Sequence, residues 1–282
     1  MSPAQRRVAA QFLIDAGLSQ RRSCALVGLS RSTLRYQPKA RDDAAVLEQL
    51  RKIARANKRY GYRRAAALLR REQPVNHKRV QRLWQAAGLQ RPVVRRKPRQ
   101  RVQEPHRTPL QAEYPNHVWT YDFMEDSTAD GRKLRVLILV DEFTRLCLAI
   151  EVARRWHSAG VITVLAQVFA RSGRPAFIRS DNGSEFVAHA LCAWLYAQHI
   201  DTHHIDPGSP WQNGYGESFN GHFRDECLNL EDFSSVLEAS VVTGQWRSHY
   251  NTQRPHSALG YQTPEAFRRQ WAAAHSPGSL AL

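Results

Sequence analysis

The chain has 282 residues, 42% of them hydrophobic and seven of them Trp, which is enough to build one large core or two moderate ones. The longest apolar stretch near its middle is only Val136 to Val140, and the opening MSPAQRR lacks the apolar segment of a secretory signal, so neither a membrane span nor export is expected. Net charge is +16, and it is segregated: residues 1–110 carry 27 Lys/Arg against 6 Asp/Glu, residues 111–282 carry 14 against 19. A solvated basic face does not sort charge so completely, so the first 110 residues are expected to bind nucleic acid. Cys24, Cys147, Cys192 and Cys227 are far apart with no C-x-x-C pair. That favours reduced, mostly buried thiols in the cytosol over a disulfide framework or a zinc knuckle.

The first third reads as short capped helices. Ser2 to Ala16 is periodic and ends at Gly17, Ser19 opens a second helix, and Gly28-Leu29 turns the chain into a third capped by Ser30. A helix, a glycine turn and a capped helix beginning RSTLRYQ make a helix-turn-helix pattern over residues 1–40. Arg31, Ser32 and Arg35 are its candidate DNA contacts; the plainer alternative is a helical hairpin with solvated arginines. A second helical segment covers 41–90, with helices at Asp43–Asn57 and Tyr62–Arg71 and a third capped by Asn76 and ending at Gly88. In that third helix Val80, Leu83 and Trp84 form an apolar side, leaving Lys78, Arg79 and Arg82 to meet phosphates. Residues 91–115 hold five prolines and seven Lys/Arg, so they are expected to form an extended basic linker lying along DNA through Arg95, Arg96 and Lys97.

From residue 116 the pattern turns to β. Strands are expected at 118–123, 134–143, 146–152, 176–179 and 200–205, with helices after Ser158, after Ser184 and, as a pair, after the loop DPGSPWQNG. This alternation predicts an α/β domain around one mixed five-stranded sheet over 116–272, followed by a short tail at 273–282.

Three acids stand where structural acids are awkward. Asp122 lies within the apolar strand WTYDF, Asp181 ends the run PAFIRSD, and Glu217 sits near the start of the helix GYGESFNGHFRDEC. Taken alone, DNGSEF also reads as a simple turn and helix cap. Burying ionised carboxylates is costly, and a divalent metal such as Mg²⁺ removes the difficulty because it prefers carboxylate, water and phosphate oxygens. On the Glu217 helix, positions 217, 220, 221 and 224 share a face, which puts Asn220 and Arg224 beside the carboxylate.

Thirty-five residues separate Asp181 from Glu217, and an Arg follows the Glu by seven. With WTYDFMEDSTADG, FIRSDNGSEF, PGSPWQNGYGESFNGHFRDECLN and the later WRSHYNTQRPHSALGYQTPEAF, the chain resembles the OrfB-type transposases of bacterial insertion sequences, which share the retroviral-integrase catalytic core. The resemblance covers nearly the whole chain. It implies an RNase H-like fold and a metal-binding triad of Asp122, Asp181 and Glu217 holding two Mg²⁺ or Mn²⁺ ions. It also implies cleavage and strand transfer of DNA, with Asn182, Trp211, Gln212, Asn213, Asn220 and Arg224 positioning the strand. The partners it implies are duplex DNA (terminal inverted repeats and target), further copies of the chain on DNA, and an OrfA product in fusion or in trans. A bacterial cytoplasmic location follows from the same likeness. Gly216 stands where such proteins often carry a bulky apolar residue. An RNase H-like nuclease without strand transfer, or a non-catalytic DNA-binding regulator, are the alternative readings.

Overall fold

The computed structural model describes residues 1–36, 43–90, 110–180, 189–204 and 214–275. The chain divides into two compact units, Met1–Val46 and Leu47–Leu282.

The first unit contains α1 (Pro3–Asp15), α2 (Gln20–Leu26) and α3 (Arg31–Arg35). Ser2, Ser19 and Ser30 each accept a hydrogen bond from the backbone N–H three residues on, satisfying donors that a helix start leaves unpaired. Gly17 and Gly28 take φ values of 94° and 61°, a left-handed backbone that lets each helix stop abruptly. The Arg6 side chain donates to the Gly28 carbonyl and Arg7 to that of Thr33, tying α1 to the turn and to α3.

The second unit begins in α4 (Ala44–Ala56) and continues through α5 (Tyr62–Leu69) and α6 (His77–Ala86). Asn76 caps α6 by accepting from Lys78 N, and Val80, Leu83 and Trp84 are buried as the apolar pattern requires. The sheet follows: β1 (Val118–Ser127), β2 (Lys133–Asp141), β3 (Cys147–Ala153), β4 (Phe177–Ser180) and β5 (Asp201–His204), in the order β3-β2-β1-β4-β5. β1, β2 and β3 pair antiparallel, while β4 and β5 run parallel to β1. This is the mixed RNase H-like sheet expected from the sequence. β1 runs four residues beyond its predicted end, because Glu125 and Asp126 stay paired with Arg135 and Leu134 before the chain turns. The Glu125–Arg135 pair sets opposite charges across the ladder, which favours the extension.

Helices α7 (Ser158–Ser172), α8 (His189–Ala197), α9 (Gly214–Glu226), α10 (Val236–Thr252) and α11 (Pro264–Ala274) flank the sheet. Strand alternation sorts the two faces. Trp119, Tyr121 and Phe123 pack with Val161, Leu165, Val168 and Phe169 of α7 and Leu191 and Leu195 of α8. Met124, Val136, Ile138 and Val140 pack instead with Phe219 and Phe223 of α9 and Tyr250 of α10. Asp122, two residues before Met124, therefore shares the α9 face. Asn251 bonds both backbone groups of Cys147, where the β2–β3 register shifts, and so fixes α10 to the edge strand.

At the end of α9, Glu226 accepts two hydrogen bonds of 2.7 Å from Arg254 and one of 3.0 Å from Arg64 of α5. The Arg254 side chain is only 2% exposed. Burial opposes the Glu226 charge, but the Arg254 hydrogen bonds win and hold its carboxyl below the usual range. Burial, aided by Arg254, pushes the nearby His256 down to about 3. The four cysteines are free and three are buried. Among the described residues, no helix is long and apolar enough to cross a membrane.

Glu226→Ala leaves two partly or fully buried guanidinium groups without their counter-charge, so it should cost about 3–5 kcal/mol in urea unfolding. His256 gives a pH signature. Its folded pKa lies below the unfolded value near 6.5, so its stabilising contribution is complete above that pH and is lost as pH falls toward about 3. At pH 5 the loss from this group is about 1–2 kcal/mol, and His256→Gln should flatten the difference between unfolding midpoints at pH 7.5 and pH 5.

Candidate active site

Asp122 sits mid-strand in β1, opposite Ile138 of β2. Its side chain is half-buried, and its two oxygens are bonded differently. Oδ1 accepts from Phe123 N at 2.7 Å, and Oδ2 accepts from Asn220 Nδ2 of α9 at 2.6 Å. The ionised acceptor fixes which way the Asn220 amide points. Its other end, Oδ1, is a buried oxygen with no hydrogen-bond partner among the described residues. One turn further on, the exposed Arg224 donates to the carbonyl of Glu125, also on β1, at 2.9 Å.

Asn220 and Arg224 thus lie along β1, as the shared helical face predicts. Glu217 occupies the same face one turn earlier, in the first turn of α9, where the helix dipole favours negative charge. What directs this face is the aromatic stripe beside it: Phe219 and Phe223 are buried against Trp246 and Tyr250, which fixes the rotation of α9. Gly216 is buried within α9, so the helix forms and packs at the position where the resemblance departs.

Asp126 and Asp141 are accounted for locally. Asp126 accepts from Ser127 N. Asp141 accepts from the backbone of Asn116, Phe143 and Thr144, closing the turn after β2.

Asp181 lies outside the described residues, as do Asn182, Trp211, Gln212, Asn213, Arg95, Arg96 and Lys97. The strand leading to Asp181 is described. β4 pairs with β1 in parallel with Thr120 opposite Arg179, and it ends at Ser180. Arg179 is buried and donates to both oxygens of Glu142, at 3.0 and 3.1 Å, and to the Leu110 carbonyl. Burial pushes the Glu142 carboxyl up to about 7, with Arg179 pulling it back. The sequence reading passed over this pair. The available signal was an Arg inside an apolar strand, a buried charge that needs a partner.

The candidate DNA contacts fall on two helices. Arg31, Ser32 and Arg35 are exposed on or beside α3, with Arg35 held by Gln20 of α2 and Ser32 by Ser30. Lys78 and Arg82 are exposed on α6 and Arg79 is half-buried, clear of the Val80, Leu83 and Trp84 side. Among the described residues, no group of three or more His, Cys, Asp or Glu side chains is placed to hold a metal. The described donors at the site, Asp122 and Glu217 with the orphaned Asn220 oxygen, are all oxygen, which is the set that suits Mg²⁺ or Mn²⁺.

Comparison with known proteins places these features. Two models described as integrase core domain match residues 112–210 and 198–264, and one described as HTH-like domain matches 40–98. An uncharacterized 31.7 kDa protein of insertion element IS407 from Burkholderia multivorans is 42% identical over 266 residues, covering 93% of this chain and 95% of that protein. The transposase InsD of insertion element IS2 from Escherichia coli is 28% identical, covering 82% of this chain and 80% of that protein. Among solved structures, the HTLV-2 integrase catalytic core domain in complex with magnesium is 20% identical, covers 55% of this chain and 97% of its own, and gives a TM-score of 0.41.

Asn220→Ala removes one charge-assisted hydrogen bond and should cost about 1–2 kcal/mol in urea unfolding. Arg224→Ala removes one exposed contact and should cost under about 1 kcal/mol. A loss of several kcal/mol for Arg224→Ala would make it a structural clamp rather than a group available to DNA.

Proposed function

The chain belongs to the insertion-sequence transposases of the DDE, integrase-like type, and from that premise we propose that Asp122, Asp181 and Glu217 hold two Mg²⁺ or Mn²⁺ ions for cutting and joining DNA at element ends. The observation that carries this reading is the Asn220–Asp122 hydrogen bond. It docks the Glu217 helix on the central strand, which supports grouping two acids 95 positions apart in sequence. The parallel β1–β4 pairing supports the third member, because β4 ends one residue before Asp181.

Asp122, Asp181 and Glu217 are the residues that would hold the ions. When bound, the ions supply an activated attacking oxygen and neutralise charge on the leaving oxygen. The chain's own groups do the positioning. Asn220 holds the Asp122 carboxylate in one orientation, and α9 carries Glu217 in its first turn. Arg224 steadies a DNA phosphate beside the site. Water first breaks a phosphodiester bond and frees a 3′-OH at the element end. That hydroxyl then attacks a second phosphate, and one P–O bond is exchanged for another with no covalent protein intermediate.

Recognition of the terminal inverted repeats falls to α3 and α6, with the basic linker along the duplex. The protein works as an oligomer on DNA, with an OrfA product in fusion or in trans, in the bacterial cytoplasm.

Purified protein incubated with Mg²⁺ and labelled element-end duplex should yield joined products. Asp122→Asn, Asp181→Asn and Glu217→Gln should each reduce joining by at least about 10³-fold while the fold survives, since each keeps its shape and loses ligand charge. Cleavage without joining would identify a nuclease. Binding with neither would identify a regulator, and near-normal joining by Asp181→Asn would break the triad.

A further inference from the structure

A groove of about 690 Å³ runs between α5 of the HTH-like segment and α11 of the core, on elements of the same compact unit. Its floor is small: Ala66 and Ala67 on one side, Ala266 and Thr263 on the other. Its rims are cationic. Arg63, Arg70 and Arg71 stand on the α5 side with His77, Arg269 stands on α11, and among the described residues no carboxylate lines it. Positions 63, 66, 67 and 70 recur at helical spacing, so two arginines flank two alanines on one face of α5. Arg63, Arg70, Arg71 and Arg269 are all exposed.

The groove is braced from behind. Arg70 donates to the Val75 carbonyl and Arg71 to that of Gln253, the second bond crossing from the helical segment to the core. Arg63 donates to the Tyr62 hydroxyl. Each of these bonds engages one of five guanidinium N–H donors, which leaves the others for a ligand. Arg269 makes no hydrogen bond or ion pair among the described residues. Such a set of like charges around a shallow alanine floor repels itself, and its cost is recovered when a polyanion lies in it.

We propose that this groove is a second DNA-contact surface, which takes the phosphate backbone of duplex DNA across the junction of the HTH-like segment and the core. It rests on the reading that the chain acts on DNA, and it extends that reading to Arg269, in the half of the chain with net negative charge. The contacts are to phosphates and carry no base preference.

The test is duplex binding by the full-length protein without divalent metal, measured across a salt series. Arg269→Glu and Arg63→Glu are compared with Arg174→Glu, the same charge change at an exposed site just past α7. Both groove variants should lower affinity by about tenfold at 0.1 M salt and flatten the salt dependence by about 0.9 per phosphate lost. Element-end and random duplex should be affected alike, and Arg174→Glu should do much less. Groove variants no worse than Arg174→Glu would overturn the proposal. So would a changed oligomeric state with unchanged DNA binding, because the groove would then serve protein association. Failure of the wild type to join DNA ends would defeat the transposase reading and leave this binding comparison standing.

Discussion

β1 is the central strand of the sheet, hydrogen-bonded to β2 on one side and to β4 on the other, and it carries a carboxylate at its middle. With both edges committed, the backbone has no freedom to swing Asp122 out into water. Leaving an ionised carboxylate half-buried without partners costs several kcal/mol. The fold answers with a backbone N–H from Phe123 and a side-chain amide from α9. That second bond dictates much else. It requires α9 to cross β1, which in turn aims Glu217 and Arg224 along the same strand. An apolar residue at 122 would avoid the cost, so the two hydrogen bonds are what make a carboxylate tolerable there.

The other end of α9 is held as firmly. Glu226 joins α9 to α5 and to the chain following α10 through Arg64 and Arg254. Replacing such a network with apolar side chains often costs nothing, so its use here is better understood as fixing position than as adding stability. It also joins the HTH-like helices to the core. Arg59, Arg64 and Arg71 all reach core residues, so a cut at residue 110 would sever contacts rather than separate two finished domains. α6 and the strand that carries Asp122 therefore belong to one compact unit.

Much of this could be read from the residues. The apolar run WTYDF marked Asp122 as an acid inside a strand, and the 3.6-residue repeat grouped Asn220 and Arg224 with Glu217. Serines at 2, 19 and 30 marked the helix starts because each supplies an oxygen that its neighbours cannot. Longer-range partnerships were not legible. Nothing local in GHFRDEC says that Glu226 meets an Arg 28 residues later and another 162 residues earlier. That Asn220 also bonds Asp122 was equally hidden, because the two lie 98 positions apart. Strand β1 overran its predicted end for a similar reason, since the pairing of Glu125 with Arg135 belongs to the hairpin and not to either strand.

If Asp122 is held in β1 as a metal ligand, as proposed, metal binding depends on its charge. Titration of the DNA-free protein with Mn²⁺, following the free-ion signal by electron paramagnetic resonance, tests it without depending on turnover. Wild-type protein should deplete free Mn²⁺, Asn220→Ala should do so more weakly, and Asp122→Asn should lose the tight site while melting at an unchanged or higher temperature. Undiminished Mn²⁺ binding by Asp122→Asn would contradict the account and return Asp122 to a purely structural role.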